Sequence, residues 1–473
     1  MDIITGKILK LNNWPDGKII GLAKITATQL MEQGFDRDTV LAQLDAVRQD
    51  PGNFLADPLM ADLAHECIRL TPKDEPSADI LLENPIPFPI WGRENIDDGA
   101  VAQMDNAMRL PVTVAGALMP DAHIGYGLPI GGVLATDNVV IPYAVGVDIA
   151  CRMRLSLYEV SPHLLGQKKG MFEESLWNET AFGMGAKWTG SKKAQHAVLD
   201  DDAWYATPQL KLLKDTAMNQ LGTSGTGNHF VEWGSFHLTE PMFGLKPGIY
   251  LALLSHSGSR GVGAKIADRY SKLAREKHPG LDKAVSYLAW LSLDSEDGQE
   301  YWLSMELAGK FASANHYIIH RRVAAAIGLK EVAVVENHHN FAWKEKLPDG
   351  RTVIVHRKGA TPAGVGVLGI IPGSMGDAGY LVRGKGITSS LESASHGAGR
   401  QMSRRVAINS ISKSARDEYL KKNDVTLLGG GMDESPQAYK PIESVIKAQA
   451  ELVDVLGKFT PRIVRMADEP GDS

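Results

Sequence analysis

The spacing of apolar positions changes along the chain, from a helical period to short runs broken by glycine. In the N-terminal part, apolar residues recur on one helix face, at Val40, Leu41, Leu44 and Val47. Asp38 can cap the start of this helix, and Pro51 with Gly52 ends it. We therefore expect residues 1–85 to form a small helical N-terminal appendage.

The segment from Pro85 to Pro89 alternates proline with Ile86 and Phe88. Each proline fixes its own φ and pushes the preceding residue toward extended geometry, so this segment should be a stiff linker. We expect the main domain, residues 86–473, to begin there.

Beyond residue 118, short apolar runs alternate with helical patterns. The runs predict strands at Ile130–Ala135, Val139–Val147, Tyr250–Ser255, Glu331–Glu336 and Thr352–His356. Helical spacing predicts helices at Gly263–Lys277, Leu307–Ile327, Arg400–Ile411 and Ile442–Leu456. Because the candidate functional residues are spread over this whole region, the expected fold class is α/β (mixed α+β), with a single large catalytic domain.

The composition narrows the class of protein without giving its function. With 473 residues, 44% of them hydrophobic, the chain can bury a large core. Its two cysteines, Cys67 and Cys151, provide no disulfide framework, and the N-terminus lacks a secretory signal. No apolar stretch reaches the roughly 18 residues that a membrane span needs. We expect a cytoplasmic protein with no membrane partner.

The net charge of -6 argues against a uniformly basic surface. Basic residues nevertheless concentrate between positions 400 and 422, at Arg400, Arg404, Arg405, Lys413, Arg416, Lys421 and Lys422. Only Asp417 and Glu418 oppose them. Such a run is either a solvated helix surface or a track for nucleic-acid phosphates, and the sequence leaves both interpretations open.

Five residues with metal-binding side chains lie beside glycines or at predicted strand ends: Asp148, Cys151, His229, His256 and His339. Carboxylate, imidazole and thiolate together suit Mn, Zn or Fe, and five ligands exceed the four of a structural zinc. The set predicts a two-ion site with Cys151 bridging. His338 adjoins His339, and an extended strand would turn only one of them toward the site. Taken singly, each residue also fits a core cysteine or a locally bonded histidine.

His396 lies among small residues in Ser393–Arg400, just before a predicted helix. Backbone N–H groups at a helix start favour phosphate, and an imidazole there can act as a covalent nucleophile. The alternative is a glycine-rich turn with an incidental histidine. Two glycine patterns, Gly364–Gly369 and Gly379–Lys385, are rejected as nucleotide motifs, because the first is not followed by a helix and the second lacks the Ser or Thr that holds Mg.

Several motifs, in this order, resemble the RtcB family of RNA-splicing ligases over roughly residues 89 to 465. They are Met119–Val133, Ala144–Cys151, Gly227–Glu232, His256–Gly261, His339-Asn340, Gly373–Gly376 and Ser395–Arg400. The resemblance implies GTP- and Mn-dependent joining of RNA ends that carry a 3′-phosphate or 2′,3′-cyclic phosphate to RNA ends that carry a 5′-hydroxyl. It also leaves room for an activating protein partner.

By motif position, the resemblance assigns the five candidate ligands to two Mn ions, with Cys151 shared, and makes His396 the residue that takes GMP. It assigns the guanylate pocket to Asn228, Phe230, Glu232, Ser374, Gly397, Ala398, Gly399 and Tyr439. An alternative class of function is a module that binds or protects RNA ends, or a guanylyl transferase that caps them without sealing.

This chain departs from the family pattern at three places. Arg152 follows the metal cysteine where the family usually has glycine, which would put a bulky cation beside the metals. Arg465 stands near the C-terminus where the family has a lysine that contacts guanine, and we expect it to substitute for that lysine. The helical appendage is also unusual for the family.

Overall fold

The computed structural model describes residues 4–12, 14–15, 17–55, 57–70 and 79–468. Contacts divide the chain into two compact units, Met1–Ala78 and Asp79–Ser473. The proline-rich segment lies within the second unit, where the Ile86 N–H donates to the Met108 carbonyl and the Leu118 N–H donates to the Pro89 carbonyl. It is extended as expected, but it is bonded to the domain and is not a free linker. Within the described ranges, every helix is too short or too polar to cross a membrane.

The described part of the first unit is helical, as its apolar spacing predicts. Its helices are α1 (Gly6–Leu11), α2 (Lys18–Glu32), α3 (Arg37–Gln49) and α4 (Ala61–Leu70). Val40, Leu44 and Val47 are buried in the core of this unit. The cap of α3 is Asp36 and not Asp38, because the Asp36 carboxylate accepts the Thr39 N–H at 3.0 Å.

The second unit mixes helices and strands, which confirms the expected fold class. Its helices are α5 (Asp98–Ala107), α6 (Pro142–Val145), α7 (Leu164–Gln167), α8 (Lys169–Glu179), α9 (Pro208–Gln220), α10 (Arg260–Lys277), α11 (Glu296–Ala325), α12 (Arg404–Ser410), α13 (Lys413–Lys422) and α14 (Ile442–Ala448).

Its strands are β1 (Thr113–His123), β2 (Ile130–Thr136), β3 (Val139–Val140), β4 (Arg152–Tyr158), β5 (Phe230–Leu238), β6 (Gly248–Ser257), β7 (Leu291–Ser292), β8 (Ala333–His338), β9 (Asn340–Lys346), β10 (Thr352–Lys358), β11 (Ala360–Pro362), β12 (Leu368–Ile371), β13 (Gly379–Gly384), β14 (Ser393–Ser395), β15 (Thr426–Leu428) and β16 (Val453–Met466).

The large sheet has the strand order β12-β13-β16-β5-β6-β4-β8, with β15 added in parallel to β16. A second sheet has the order β1-β2-β10-β9. Successive residues of β4 face opposite sides, as in any strand. Met153, Leu155 and Leu157 enter an apolar core on one face, whereas Tyr158 packs on the other face with Ile319 of α11.

Four predicted elements differ from the structure. The helix expected at Leu307–Ile327 begins earlier, at Glu296, because Ser295 caps it through the Gly298 N–H at 3.1 Å. The run Val139–Val147 is not one strand, because Pro142 starts the short helix α6 after β3. The segment Ile442–Leu456 is helical only to Ala448, and its last part pairs with β13 as the start of β16. Helix α12 begins at Arg404 and not at Arg400, because Ser403 caps it through the Val406 N–H at 3.2 Å.

Candidate metal and nucleotide site

The large sheet places three predicted ligands side by side. Cys151 lies just before β4, His256 lies near the end of β6, and His339 follows β8. Strand β4 runs between β6 and β8, and the His339 N–H donates to the Cys151 carbonyl at 3.0 Å. His229 comes from the residue before β5, the strand on the other side of β6. Neighbouring strands therefore deliver all four side chains to one edge of the sheet.

The donor atoms of these side chains converge. The Cys151 Sγ atom lies 3.1 Å from Nε2 of His256 and 3.4 Å from Nε2 of His229. Oδ2 of Asp148 lies 3.0 Å from Nε2 of His229, and Nε2 of His339 lies 3.2 Å from Nε2 of His256. The structure thus brings all five predicted ligands together. Cys151 lies at the junction of two groups, one with Asp148 and His229, the other with His256 and His339.

The arrangement of protons suits a cation at this cluster. Nδ1 of His256 lies 3.0 Å from the Asn228 carbonyl, which can only accept, so this nitrogen carries the proton and Nε2 is a bare lone pair. That lone pair faces the sulfur of Cys151 and the Nε2 atom of His339. A thiol and imidazole nitrogens gathered around one point are donor atoms that fit a divalent cation. The donor set therefore fits the metal that the resemblance implies.

Burial controls the protonation of the cluster. Burial, together with the neighbouring His229, lowers the pKa of His256 to about 3. Burial, and next the charge of Asp148, raises the pKa of the Cys151 thiol well above its ordinary value. Burial opposes ionisation of Asp148, but its hydrogen bond and charge interaction with His229 bring the pKa of that carboxyl below its usual value. The neutral imidazole of His256 is ready to bind a metal, and a cation would displace the proton of the Cys151 thiol.

Two glycines leave the space in which these ligands sit. A Cβ at Gly258 would lie 2.1 Å from Oδ1 of Asp148, and a Cβ at Gly225 would lie 2.0 Å from Nδ1 of His229. Ala150 adopts a left-handed φ of 57° between Asp148 and Cys151. This conformation is strained for a residue with a Cβ, and strain of this kind often marks functional sites.

His396 lies beside this cluster and is oriented by a buried carboxylate. Its ring centroid lies 4.8 Å from that of His339. Oδ2 of Asp121 lies 2.6 Å from Nδ1 of His396 and accepts the backbone N–H groups of His396 and Gly397. Asp121 is fully buried, and its charge interactions with His396 and Lys440, together with the His396 hydrogen bond, lower its pKa despite burial. An ionised Asp121 holds the proton on Nδ1 and leaves Nε2 of His396 with an unprotonated lone pair.

His396 and His256 line a cavity of about 680 Å³. Most of the predicted nucleotide-pocket residues line it: Asn228, Phe230, Ser374, Gly397, Ala398, Gly399 and Tyr439. Its wall also includes Arg400, Arg404 and Glu434. The buried Glu434 carboxylate accepts hydrogen bonds from Tyr439 and Arg400, and so holds these two side chains at the cavity.

The remaining two predicted pocket residues do not line this cavity. Glu232 is buried on β5, two residues beyond Phe230, and burial raises the pKa of its carboxyl well above the usual value. Arg465 is turned away from the cavity, because its guanidinium lies 4.3 Å from the ring centroid of Trp177 and pairs with Asp468 at 2.8 Å. Met466, the next residue, lines the cavity instead.

The placement of Arg152 differs from expectation. Cys151 faces the cluster of metal-binding side chains. The next side chain, Arg152, therefore leaves on the opposite face of the sheet, where it pairs with Glu336 at 2.8 Å. His338 lies on that same face, stacked on Trp343, whereas His339 faces the cluster. Only one of the two adjacent histidines enters the site, as predicted.

The basic run divides between two places. Arg400, Arg404 and Arg405 line the main cavity, whereas Lys413, Arg416 and Lys421 line a separate cavity of about 550 Å³.

Sequence reasoning gave no role to Asp121, Lys440 or Glu434. Asp121 lies inside a motif of the resemblance. The sequence feature that could have revealed it is a charged residue within the otherwise apolar run Ala117–Ala122. The Lys440 ammonium donates to the carbonyls of Pro120 and Ala122, which fixes the backbone on both sides of Asp121. The role of Glu434 depends on side chains far apart in sequence, so no local pattern reveals it.

Comparison with known proteins agrees with these motifs. A family model described as tRNA-splicing ligase RtcB matches residues 103–467. The chain is 31% identical to the RNA-splicing ligase RtcB of Escherichia coli over 418 residues, which cover 80% of this chain and 97% of that one. It is also 31% identical to the tRNA-splicing ligase RtcB of Methanococcus maripaludis over 422 residues, which cover 74% of this chain and 88% of the other. On the extent of these matches, the chain belongs to the RtcB family.

Proposed function

We propose that this protein is an RNA ligase that uses GTP and Mn²⁺ to join RNA 3′-phosphate or 2′,3′-cyclic phosphate ends to 5′-hydroxyl ends. One observation carries the proposal: His396, oriented by Asp121, stands between a cluster of metal-binding side chains and a cavity of nucleotide size. The relatives named RNA-splicing and tRNA-splicing ligases support RNA as the substrate.

Two Mn²⁺ ions would be held by the five converging side chains, with Cys151 shared. Asp148 and His229 would complete one ion's set, and His256 and His339 the other's, because the donor atoms within each pair lie 3.0 Å and 3.2 Å apart. When bound, such ions neutralise phosphate charge and help to position the reacting groups.

His396 is the proposed nucleophile in a first transfer. Its Nε2 atom attacks the α-phosphorus of GTP, a nitrogen–phosphorus bond forms, and pyrophosphate leaves. Asp121 keeps the Nδ1 proton in place and stabilises the positive charge that develops on the ring. The cavity residues Asn228, Phe230, Ser374 and Tyr439 would hold the nucleotide, and the Gly397–Gly399 turn lies beside His396.

Two further transfers complete the ligation. The RNA 3′-phosphate takes GMP from His396 and frees the imidazole, after water has opened any cyclic phosphate. The 5′-hydroxyl of the second RNA then attacks the activated 3′-phosphorus, a phosphodiester forms, and GMP leaves. Arg405 lines the cavity and carries positive charge for the phosphates of these RNA ends, whereas Arg400 and Arg404 are paired with the Glu434 carboxylate. We assign the reaction to the cytoplasm, where the buried thiols of Cys67 and Cys151 stay reduced.

The second candidate is an RNA-end-protecting module or a transferase that caps 3′-phosphates without sealing them. It is favoured only if sealing fails. The test is incubation with Mn²⁺ and GTP labelled on its α-phosphate, followed by sealing assays on 3′-phosphate, cyclic-phosphate and 3′-hydroxyl RNA with GTP or ATP. We expect an acid-labile protein adduct that is absent from His396→Ala, and sealing of the first two ends with GTP. An adduct without sealing supports the transferase, and no adduct supports the binding module.

A further inference from the structure

The sheet face opposite the cluster of metal-binding side chains carries a layer of buried polar side chains. Strands β4 and β6 each turn one residue toward the cluster and the next toward helix α11. His256 faces the cluster, whereas Ser255 and Ser257 face α11, where they meet Asn315 and His316. All these residues are buried, so each hydrogen bond among them matters for the geometry of the strands.

The bonds around Ser255 allow one direction of donation only. Nε2 of His316 lies 3.0 Å from the Ser257 carbonyl and must therefore carry the ring proton. Burial lowers the pKa of His316 well below its ordinary value, so Nδ1 of this neutral ring accepts the Ser255 hydroxyl at 2.7 Å. The Ser255 oxygen then accepts the Nε2–H of His320, also at 2.7 Å. Two histidines of α11 thus clamp the residue next to His256.

The layer continues to β4 and β8. Nδ1 of His320 lies 2.8 Å from Oγ of Ser156, and that oxygen lies 2.8 Å from Oε2 of Glu331. Arg152, which follows Cys151, donates to the Gly309 carbonyl of α11 at 3.0 Å and pairs with Glu336 of β8 at 2.8 Å. The three strands that carry Cys151, His256 and His339 are therefore each tied to the layer on their far face.

We propose that this layer is a positioning device for the metal ligands, in which His316 and His320 fix His256 through Ser255, and Arg152 fixes Cys151. The proposal rests on the proposed metal function of the cluster. A strand that shifts or tilts carries its two faces together, so a change at Ser255 moves the Nε2 atom of His256 relative to the Cys151 sulfur. Arg152 therefore holds Cys151 in position from the far face of the sheet and does not place a positive charge beside the metals.

A role in folding alone would give different results. The matched control is Val323→Ala, because Val323 packs from α11 against the same face of the sheet in an apolar cluster, without a bond to the layer. The test variants are Ser255→Ala and His320→Leu, which break the chain of donors at two points. His320→Gln is the conservative variant, since a glutamine amide can still donate toward Ser255.

The experiment is titration of each metal-free protein with Co²⁺ well below its unfolding temperature, followed by calorimetry and by the thiolate-to-Co²⁺ charge-transfer absorption. We expect Ser255→Ala and His320→Leu to weaken binding about tenfold or more and to shift the absorption, with partial recovery in His320→Gln. Val323→Ala should be less stable but bind as the wild type does. If the wild type binds and both test variants bind equally well, the positioning role is overturned and the metal site stands. A wild-type protein that binds no Co²⁺ overturns both proposals. If His320→Leu does not fold, Ser255→Ala and His320→Gln decide.

Discussion

Asp121 accepts three hydrogen bonds on one carboxylate oxygen, and the shortest of them, 2.6 Å, comes from Nδ1 of His396. Because the other two come from the backbone of His396 and Gly397, the carboxylate fixes both the ring and the turn that carries it. The ring has one remaining nitrogen, Nε2, and that nitrogen is free to react.

Asp121→Asn should therefore slow formation of the nucleotide adduct by about a hundredfold or more, because an amide can donate where the carboxylate must accept and so favours the wrong tautomer. The rate of labelling by α-labelled GTP measures this effect. Asp137→Asn is the matched control, since Asp137 is an exposed carboxylate just after β2. Equal labelling rates in the two variants would remove Asp121 from the proposed mechanism.

Gly258→Ala should weaken metal binding. The added Cβ would lie 2.1 Å from Oδ1 of Asp148, so the carboxylate must move away from His229. We expect Mn²⁺ affinity to fall about tenfold or more, as measured by calorimetry. Gly170→Ala on helix α8 is the control, because open space surrounds Gly170 and alanine favours a helix. An unchanged affinity in Gly258→Ala would count against Asp148 as a ligand.

The convergence of the five ligands could be predicted because each one lies at a strand end or in a turn close to a glycine; Asp148 lies in the turn between α6 and β4, and the other four lie at strand ends. What the sequence does not contain is the strand order that makes β4 the neighbour of both β6 and β8. Residues whose role is to orient another side chain could not be predicted from the sequence. Asp121 and Glu434 acquire their roles only when the fold brings His396 and Tyr439 to them.

The misplaced elements have a common physical cause. Val453 and Leu456 fit a helix face by spacing, but they lie in β16, which pairs with β13, because tertiary contacts override local preference. Arg152 and Arg465 show a second limit of the sequence. Each is one residue away from a side chain that faces the site, so a single step along a strand sends it to the opposite face.

Guanine selectivity should depend on Glu232 and not on Arg465. Glu232 is buried and follows the cavity residue Phe230 by two positions on β5, so both side chains leave the same face of the strand. Guanine N–H groups would supply the donors that favour the ionised form of its carboxyl, whose pKa burial raises. Glu232→Gln should reduce the preference for GTP over ATP in adduct formation about tenfold or more, since an amide offers one acceptor in place of two. Arg465→Ala, which loses its pairing with Asp468, should leave the preference unchanged. If Arg465→Ala lowers the preference for GTP and Glu232→Gln does not, Arg465 and not Glu232 contacts guanine.

Lys358 should make stability depend on pH above neutrality. It is buried at the end of β10, its ammonium donates to the Tyr126 carbonyl, and burial lowers its pKa to about 7. In the unfolded chain a lysine titrates near pH 10.4, so between about pH 7 and pH 10 the unfolded state binds more protons than the folded state. The lysine therefore opposes folding at neutral pH and below, and this penalty disappears as pH rises through that window.

Lys358→Met, which keeps the length of the side chain, removes the penalty. We expect the free energy of unfolding of the wild type, measured with urea on metal-free protein and relative to Lys358→Met, to rise from pH 7 to pH 9. The slope should approach about 1.4 kcal/mol per pH unit. Tyrosine and cysteine titrations occur in both proteins and cancel in the difference. A difference that stays flat over this range would mean that the folded protein keeps Lys358 charged, with a counter-charge or water at its ammonium.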